Sequence, residues 1–283
     1  MHRISALLSH ACKMLGRNGI SLAAAAIVGF LICLALVGPM LTSFDPYATN
    51  LANALDPPSK LHWFGTDQLG RDVLSRVVAS ARIDLFVAVC AVAASFALGI
   101  VIGGLAGYIG GSFDLWTSRI AEMVQVFPLF VLAMALVAAL GNDLRNVVLA
   151  TAIVNLPFYI RLARAEIGVL RTQLFVEAAR VAGNGDARII GGVLLPNAMP
   201  NLMIQLSVNL GWAILNAASL SFIGLGIRPP TAEWGIMVAE GATQAMAGNW
   251  WLIVFPGLAL ALAVFAFNLL GDALREVFDV RSR

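Results

Sequence analysis

The chain has 283 residues, of which 60% are hydrophobic and only 12% charged, and its formal net charge is +2. Soluble domains carry about 25% charged residues, so this composition excludes an ordinary soluble fold and indicates a protein of the lipid bilayer. The small net charge gives no indication of a nucleic-acid partner.

The possible metal ligands and nucleophiles form no recognisable constellation. They are three cysteines and three histidines, Cys12, Cys33, Cys90, His2, His10 and His62. None is paired at the spacing of a metal site, and no histidine lies in an apolar segment. We therefore predict no catalytic, cofactor-binding or metal-binding residue in this chain. A membrane-embedded hydrolase, which would need a nucleophile and a base, is disfavoured.

Six apolar segments predict an all-α, polytopic membrane protein with six transmembrane helices. The segments are Ile20–Leu41, Leu85–Ile109, Leu115–Leu140, Val147–Leu162, Leu202–Leu225 and Trp250–Leu270. A helix needs about 20 apolar residues to cross a bilayer. The first segment is too long for the apolar region of a cleaved signal peptide, so we expect it to remain as a span. The fourth contains Pro157. Proline has no amide hydrogen, so neighbouring helices must compensate for the backbone hydrogen bond that is lost.

Glycines recur at helical spacing in the second segment, at Gly99, Gly103, Gly104 and Gly107. Because a glycine has no side chain, this pattern favours close approach of another helix. A phosphate-binding loop is a poor interpretation, since these glycines lie inside a continuous apolar helix.

Lysines and arginines set the predicted orientation in the membrane. With the N-terminus inside, most of the 18 basic residues fall in inner segments. We therefore expect both termini in the cytoplasm. The cytoplasmic segments are then 1–19, 163–200 and 272–283, and the external segments are 42–84 and 226–249.

The first external segment contains one predicted amphipathic helix. Apolar residues at helical spacing run through Gly70–Leu85, and Arg71, Asp72, Arg76 and Arg82 fall on the opposite side. This pattern predicts a helix that lies at the membrane interface.

The longest cytoplasmic segment is predicted to form two short helices around a turn. Thr172–Ala182 lacks helix breakers, and Gly183 can end this helix in a left-handed conformation. Asp186 is placed to cap a second helix over Ala187–Leu194, which Pro196 would end. A plain amphipathic connector between two spans is the alternative that spacing alone leaves open.

The same segment resembles a known signature. The residues that carry it are Glu177, Ala178, Ala179, Gly183, Val193, Leu195 and Pro196. Their types and spacing resemble the Glu-Ala-Ala signature of the permeases of ATP-binding-cassette (ABC) importers. Val193 stands where that signature has isoleucine, which is a conservative departure.

Four further stretches narrow the resemblance to the second permease subunit of dipeptide, oligopeptide and nickel importers. They are Trp63–Arg76, Arg119–Pro128, Pro229–Gly235 and Phe267–Arg275. Within them, Glu122 departs from the family pattern, where aspartate is more usual.

The resemblance implies a type I, MetI-like permease core over 85–271 with an extra N-terminal helix at 20–41. It also implies an inner-membrane complex with a second permease subunit, two cytoplasmic ATPase subunits and an external substrate-binding protein. ATP and Mg are expected on the ATPase subunits, because this chain has no Gly-Lys-Ser/Thr phosphate-binding loop. The expected cargo is a di- or oligopeptide. Nickel, a metal–chelator complex and glutathione-like peptides are the alternatives.

In such a complex the cytoplasmic loop would couple ATP hydrolysis to alternating access by rigid-body movement of the spans. The residues expected to meet the ATPase are Glu177, Ala178, Ala179, Arg180, Gly183, Asp186, Leu195 and Pro196.

Four polar residues inside predicted spans are candidates for the translocation path, namely Asn155, Gln205, Asn209 and Asn216. Polar side chains within a membrane usually face protein or a water-filled cavity. The alternative is hydrogen bonding between helices, which is favoured because asparagine and glutamine commonly act in this way within membranes. An ion-coupled secondary transporter is disfavoured, because it would need ionisable residues in the middle of spans.

Overall fold

The computed structural model describes residues 19–279. Within that range the regular secondary structure is helical apart from one isolated β-bridge, and loops and turns connect the helices. The all-α prediction is confirmed for this part of the chain. Predictions for 1–18 and 280–283 lie outside the described residues, including those for Cys12, His2 and His10.

The α-helices of the described range are α1 Gly19–Leu41, α2 Val73–Ile109, α3 Gly111–Val126, α4 Leu129–Leu140, α5 Leu144–Leu170, α6 Leu174–Val181, α7 Asp186–Ile189, α8 Leu195–Phe222, α9 Trp234–Ala242 and α10 Trp251–Asp279. A π-helical turn, Ile190–Leu194, joins α7 to α8. Single 3-10 turns lie at Leu51–Asn53 and Ala245–Ala247.

Five helical segments of this range are long and apolar enough to cross a membrane: α1, α2, α5, the continuous run Asp186–Phe222, and α10. The helices α3 and α4 pass the same test together but meet at an angle of 86°. The predicted span Leu115–Leu140 is therefore broken rather than straight. Phe127 has an extended backbone, since the ring of Pro128 disfavours helical geometry in the preceding residue. With this pair counted as one bent span, the prediction of six spans holds.

The second span belongs to a helix that begins earlier in the chain than predicted, at Val73 instead of Leu85. Asp72 accepts a hydrogen bond from the Ser75 amide at 2.8 Å and so caps α2, which then runs for 37 residues. The predicted interfacial helix Gly70–Leu85 and the second span are thus a single helix. Its predicted polar face is also wrong, because Arg71, Asp72 and Arg76 are buried.

Carboxylates from two directions hold these buried arginines. Arg71 Nε lies 2.6 Å from Asp67 Oδ2, and Arg71 Nη2 lies 3.3 Å from Glu240 Oε2. Arg76 Nε lies 3.5 Å from the same Asp67 oxygen. A buried charge is tolerated when it is paired. Because Glu240 belongs to α9, the network ties the segment before α2 to α9, and the arginines face protein instead of water.

The α2 glycines Gly99, Gly103 and Gly107 lie directly against α5, as their spacing predicts. A Cβ atom at Gly103 would overlap the carbonyl group of Ile160. Backbone contact of this kind lets two membrane helices pack closely without a hydrophobic driving force between them. The pair α2 and α5 has the most extensive contact among the described helices.

Helix α1 lies at the edge of the bundle, where it contacts α2 and α10. One of its faces is buried through Ala24, Val28, Leu31 and Ala35, while apolar side chains on the other faces are exposed. Near its end, Gly38 touches Val78 of α2. The exposed apolar faces are suited to lipid.

Candidate functional site

The short helix α6 and the turn after it expose both apolar and charged side chains in the loop between α5 and α8. Gly183 has φ +81°, in the left-handed region, as predicted. The Gly183 amide donates to the Arg180 carbonyl at 2.9 Å, and the Asn184 amide donates to the Ala179 carbonyl at 3.2 Å. This pair of bonds is a Schellman motif, which satisfies the last carbonyls of a helix and needs a residue tolerant of positive φ.

Asp186 does not cap the second helix. The residue at the cap position is Gly185, and Asp186 is the first helical residue, without a side-chain bond to the backbone of its helix. Its carboxylate instead accepts a hydrogen bond from the hydroxyl of Tyr108. The prediction for Asp186 was wrong because a tertiary partner captures the side chain.

Pro196 does not end the second helix either. It lies in the first turn of α8, and the helix continues through it to Phe222. Just before the proline the backbone widens into a π turn, in which the Leu195 amide bonds the Ile190 carbonyl. A wider turn makes room for a residue that lacks an amide hydrogen and crowds the preceding carbonyl.

Most side chains of α6 are exposed. Leu174 and Val181 are 80% and 90% accessible, and Phe175 is also exposed. Among the residues predicted to meet an ATPase, Glu177, Ala178, Arg180, Gly183, Asp186 and Pro196 are exposed, whereas Ala179 and Leu195 are partly buried. We call the exposed residues Leu174, Phe175, Glu177, Ala178, Arg180 and Val181 the α6 surface. Apolar groups this exposed, interspersed with charge, are typical of a protein interaction site.

The inner side of the loop is anchored in a hydrophobic cluster. Val176, Ile189 and Leu194 are fully buried there. They pack with Ile167 near the end of α5 and with Leu202 of α8. The α6 surface is therefore carried on a base that is continuous with two spans.

Tyr108, near the end of α2, was missed by the sequence reasoning, although it contacts the loop at three points. Its hydroxyl donates to Asp186, and the guanidinium carbon of Arg180 lies 5.8 Å from its ring centre. Its carbonyl accepts from Arg171 Nη1 at 2.9 Å. A nearby ion pair links α5 to α3, with Arg164 Nη2 donating to Asp114 Oδ2 at 2.7 Å. The sequence feature that could have identified Tyr108 is its position as a polar aromatic residue at the end of a predicted span.

The four candidate path residues lie on α5 and α8, and two of them contact the other of these helices. Asn216 Nδ2 donates to Thr151 Oγ1 at 3.3 Å, which is the interhelical bond that the alternative predicts. Asn209 lies beside the hydroxyl of Tyr159. Asn155 is buried on α5, and Gln205 is partly buried on α8. A path role stays a prediction for all four.

Comparison with known proteins decides the family. Residues 99–283 match the family described as the binding-protein-dependent transport system inner membrane component. Residues 7–58 match the N-terminal TM domain of oligopeptide transport permease C. The chain is a permease of the dipeptide, oligopeptide and nickel ABC importer family. The second match corresponds to the extra N-terminal helix, α1.

Individual relatives align over almost the whole permease. The probable D,D-dipeptide transport system permease protein DdpC of Escherichia coli K12 is 40% identical, over 95% of this chain and 90% of the relative. The dipeptide transport system permease protein DppC of Bacillus subtilis is 36% identical, over 96% of this chain and 85% of the relative. The nickel transport system permease protein NikC of E. coli K12 is 39% identical, over 89% of this chain and 91% of the relative.

Solved structures support the fold. A chain of the inward-facing MetNI methionine ABC transporter superposes with a TM-score of 0.58 and 20% identity, over 71% of the permease and 96% of that chain. A chain of an amino acid ABC transporter with histidines superposes with a TM-score of 0.54 and 20% identity, over 73% of the permease and 94% of that chain. The predicted MetI-like core is confirmed. Family members are membrane components of ABC transporters, and this permease is a multi-pass membrane protein.

Proposed function

We propose that this permease moves di- or oligopeptides across the inner membrane by alternating access. The proposal is supported by relatives named for D,D-dipeptide and dipeptide transport. Nickel, or a metal–chelator complex, is a second candidate because a nickel permease is 39% identical.

The cargo is tested on the substrate-binding protein that works with this permease. Calorimetric titration with a dipeptide, an oligopeptide and Ni²⁺ is expected to give tight binding of peptide alone. Binding of Ni²⁺ without peptide binding would contradict the peptide proposal and support the second candidate. ATP-independent uptake in vesicles would point to an ion-coupled transporter instead.

The α6 surface is proposed to be the site where an ATPase subunit docks. Its exposed apolar side chains support this, because Leu174, Phe175 and Val181 would bury their surface only against a partner. Glu177 and Arg180 add charges that can orient such a contact. This surface is the single observation that carries the coupling proposal.

Movement of the docked helix would reach the spans by two routes. The buried side chains Val176 and Leu194 connect it to α5 and α8. Tyr108 connects it to α2 through Arg180 and Asp186. Because packed elements move as rigid bodies, closure of the ATPases would rock these spans together.

The proposed complex contains two ATPase subunits, a second permease subunit and an external binding protein. ATP and Mg would be bound by the ATPase subunits, since this chain has no phosphate-binding loop sequence. The proposed orientation has both termini and α6 in the cytoplasm, which the distribution of arginine and lysine supports. The external loops would then face the binding protein.

Cysteine crosslinking tests the docking site. In the assembled complex, Val181→Cys on α6 is expected to crosslink to an ATPase subunit. Met246→Cys is the control, because Met246 is equally exposed but follows α9. Crosslinking of Met246→Cys to an ATPase, or none at Val181→Cys, would contradict the proposed docking site.

A further inference from the structure

A cavity of about 420 Å³ lies between the end of α1 and the start of α2. Leu34, Gly38 and Leu41 of α1 and Leu74 and Val78 of α2 line its apolar part. The contact between Gly38 and Val78 brings the two helices together along this wall. The volume falls in the range of about 300–1,000 Å³ that is usual for small-ligand sites.

The cavity has the polarity of a membrane interface. Helix α1 has 23 residues and would be about 35 Å long, which suits a spanning helix. Its last residue, Leu41, then marks the end of the hydrocarbon region, and Leu34 lies roughly 10 Å deeper. Beyond Leu41 the lining becomes polar, with Thr42 and Ser43.

Lys60 supplies a positive charge at the polar end. It lines the cavity, and it forms no ion pair among the residues of 19–279. The other charged group in the lining, Asp72, is fully engaged. Its Oδ1 lies 2.9 Å from His62 Nδ1, and its Oδ2 accepts from the amide and hydroxyl of Ser75 at 2.8 and 2.7 Å. Lys60 is therefore the charged group of the lining whose hydrogen-bonding capacity is left for an entering ligand.

We propose that this cavity binds one anionic phospholipid, with an acyl chain against Leu34 and Val78 and the phosphate at Lys60. A phospholipid matches both halves of the site, because it joins an anionic head to an apolar chain. The rim agrees with this occupant, since Trp63 is 69% exposed beside Lys60 and Leu61 is 65% exposed. Exposed tryptophan is typical of the headgroup region. The site does not depend on the cargo or on the coupling proposal.

Quenching by brominated lipids tests the site in the assembled complex, reconstituted in unlabelled phosphatidylcholine. The difference in tryptophan fluorescence between the wild type and Trp63→Phe isolates the signal of Trp63. Brominated phosphatidylglycerol is expected to quench this signal at a concentration roughly fivefold lower than brominated phosphatidylcholine. Lys60→Gln is expected to abolish that preference.

Arg82→Gln is the matched control, because Arg82 is an exposed cation that does not line the cavity. It should leave the preference unchanged. Equal quenching by the two lipids would mean ordinary boundary lipid and would overturn the proposal. Absence of Trp63 quenching by either lipid would mean that another protein chain covers the cavity, which also overturns it.

Discussion

The carboxyl groups of Asp84 and Glu233 lie within hydrogen-bonding distance of each other, and both are 1% exposed. Glu233 caps α9 by accepting from the amides of Gly235 and Ile236 at 2.9 and 2.8 Å. Asp84, on α2, accepts from the Trp234 amide at 3.2 Å. Two carboxylates in such a dry contact repel each other when both are charged, so the joint between α2 and α9 favours a protonated carboxyl group.

Glu233→Ala is expected to destabilise the permease by about 1–3 kcal/mol. The change removes the cap of α9 and leaves Asp84 without its partner. Glu233→Gln keeps two of the three interactions and should cost less. Midpoints of thermal unfolding in detergent, measured for the wild type and both variants, test this order of stability. An unfolding midpoint for Glu233→Ala equal to that of the wild type would show that the joint contributes nothing.

The same joint predicts a dependence of stability on pH. Burial raises the pKa of the Glu233 carboxyl above its ordinary value near 4.5. The folded state therefore holds the proton more tightly than the unfolded chain, and stability is greatest at acidic pH and falls as the pH rises through the native pKa. Unfolding midpoints at pH 5 and pH 8 should show a larger drop for the wild type than for Glu233→Gln. Parallel drops would exclude the pair as the cause.

Gly183→Val is expected to uncouple ATP hydrolysis from uptake. A β-branched residue is strained at φ +81°, so the Schellman turn would open and α6 would lose its orientation. We expect roughly tenfold less uptake in reconstituted complexes, and ATPase activity that no longer responds to loaded binding protein. The matched control is Gly185→Val, since Gly185 has an ordinary φ of −74° and open space around it. Normal uptake by Gly183→Val would contradict the proposed role.

Tyr108→Phe is expected to lower the uptake obtained per ATP hydrolysed by about fivefold, the value of one hydrogen bond. The change deletes the hydroxyl that donates to Asp186 but keeps the ring beside Arg180. Asp186→Asn retains an acceptor for that hydroxyl and should stay near the wild type. If both variants transport normally, movement of α6 does not reach α2 through Tyr108.

Gly103→Ala is expected to destabilise the contact between α2 and α5 by about 1–3 kcal/mol, because its Cβ would overlap the carbonyl of Ile160. Gly104→Ala tests the same change one residue away, where the nearest atom is 4.0 Å from the new Cβ. That variant should be neutral or slightly stabilised, since alanine favours helix. Comparable unfolding midpoints for the two variants would contradict the close packing.

Local patterns predicted a large part of the fold. The long uncharged runs identified the spans, because a bilayer requires length and apolar character in each span separately. The glycine spacing located the contact of α2 with α5, and Gly183 identified the left-handed turn after α6. Each depends on residues that are neighbours along one helix or one turn.

Errors occurred where a distant partner decides the outcome. Arg71 and Arg76 look like the solvent face of an amphipathic helix until Asp67 and Glu240 are placed around them. Asp186 looks like a helix cap until Tyr108 captures it. The predicted second span leaves Asp84 just outside it. In the structure α2 begins earlier, and Asp84 lies within this helix at the buried contact with Glu233.

Run length, charge distribution and a short motif are local properties of the chain, and they were sufficient to predict a six-span permease with an ABC-importer signature. Which charges are buried, and that Tyr108 connects α6 to α2, could be seen only in the folded molecule. Those features depend on pairing between segments far apart in sequence. Periodicity cannot report such a pairing, because it records the face of a helix and not the element packed against it.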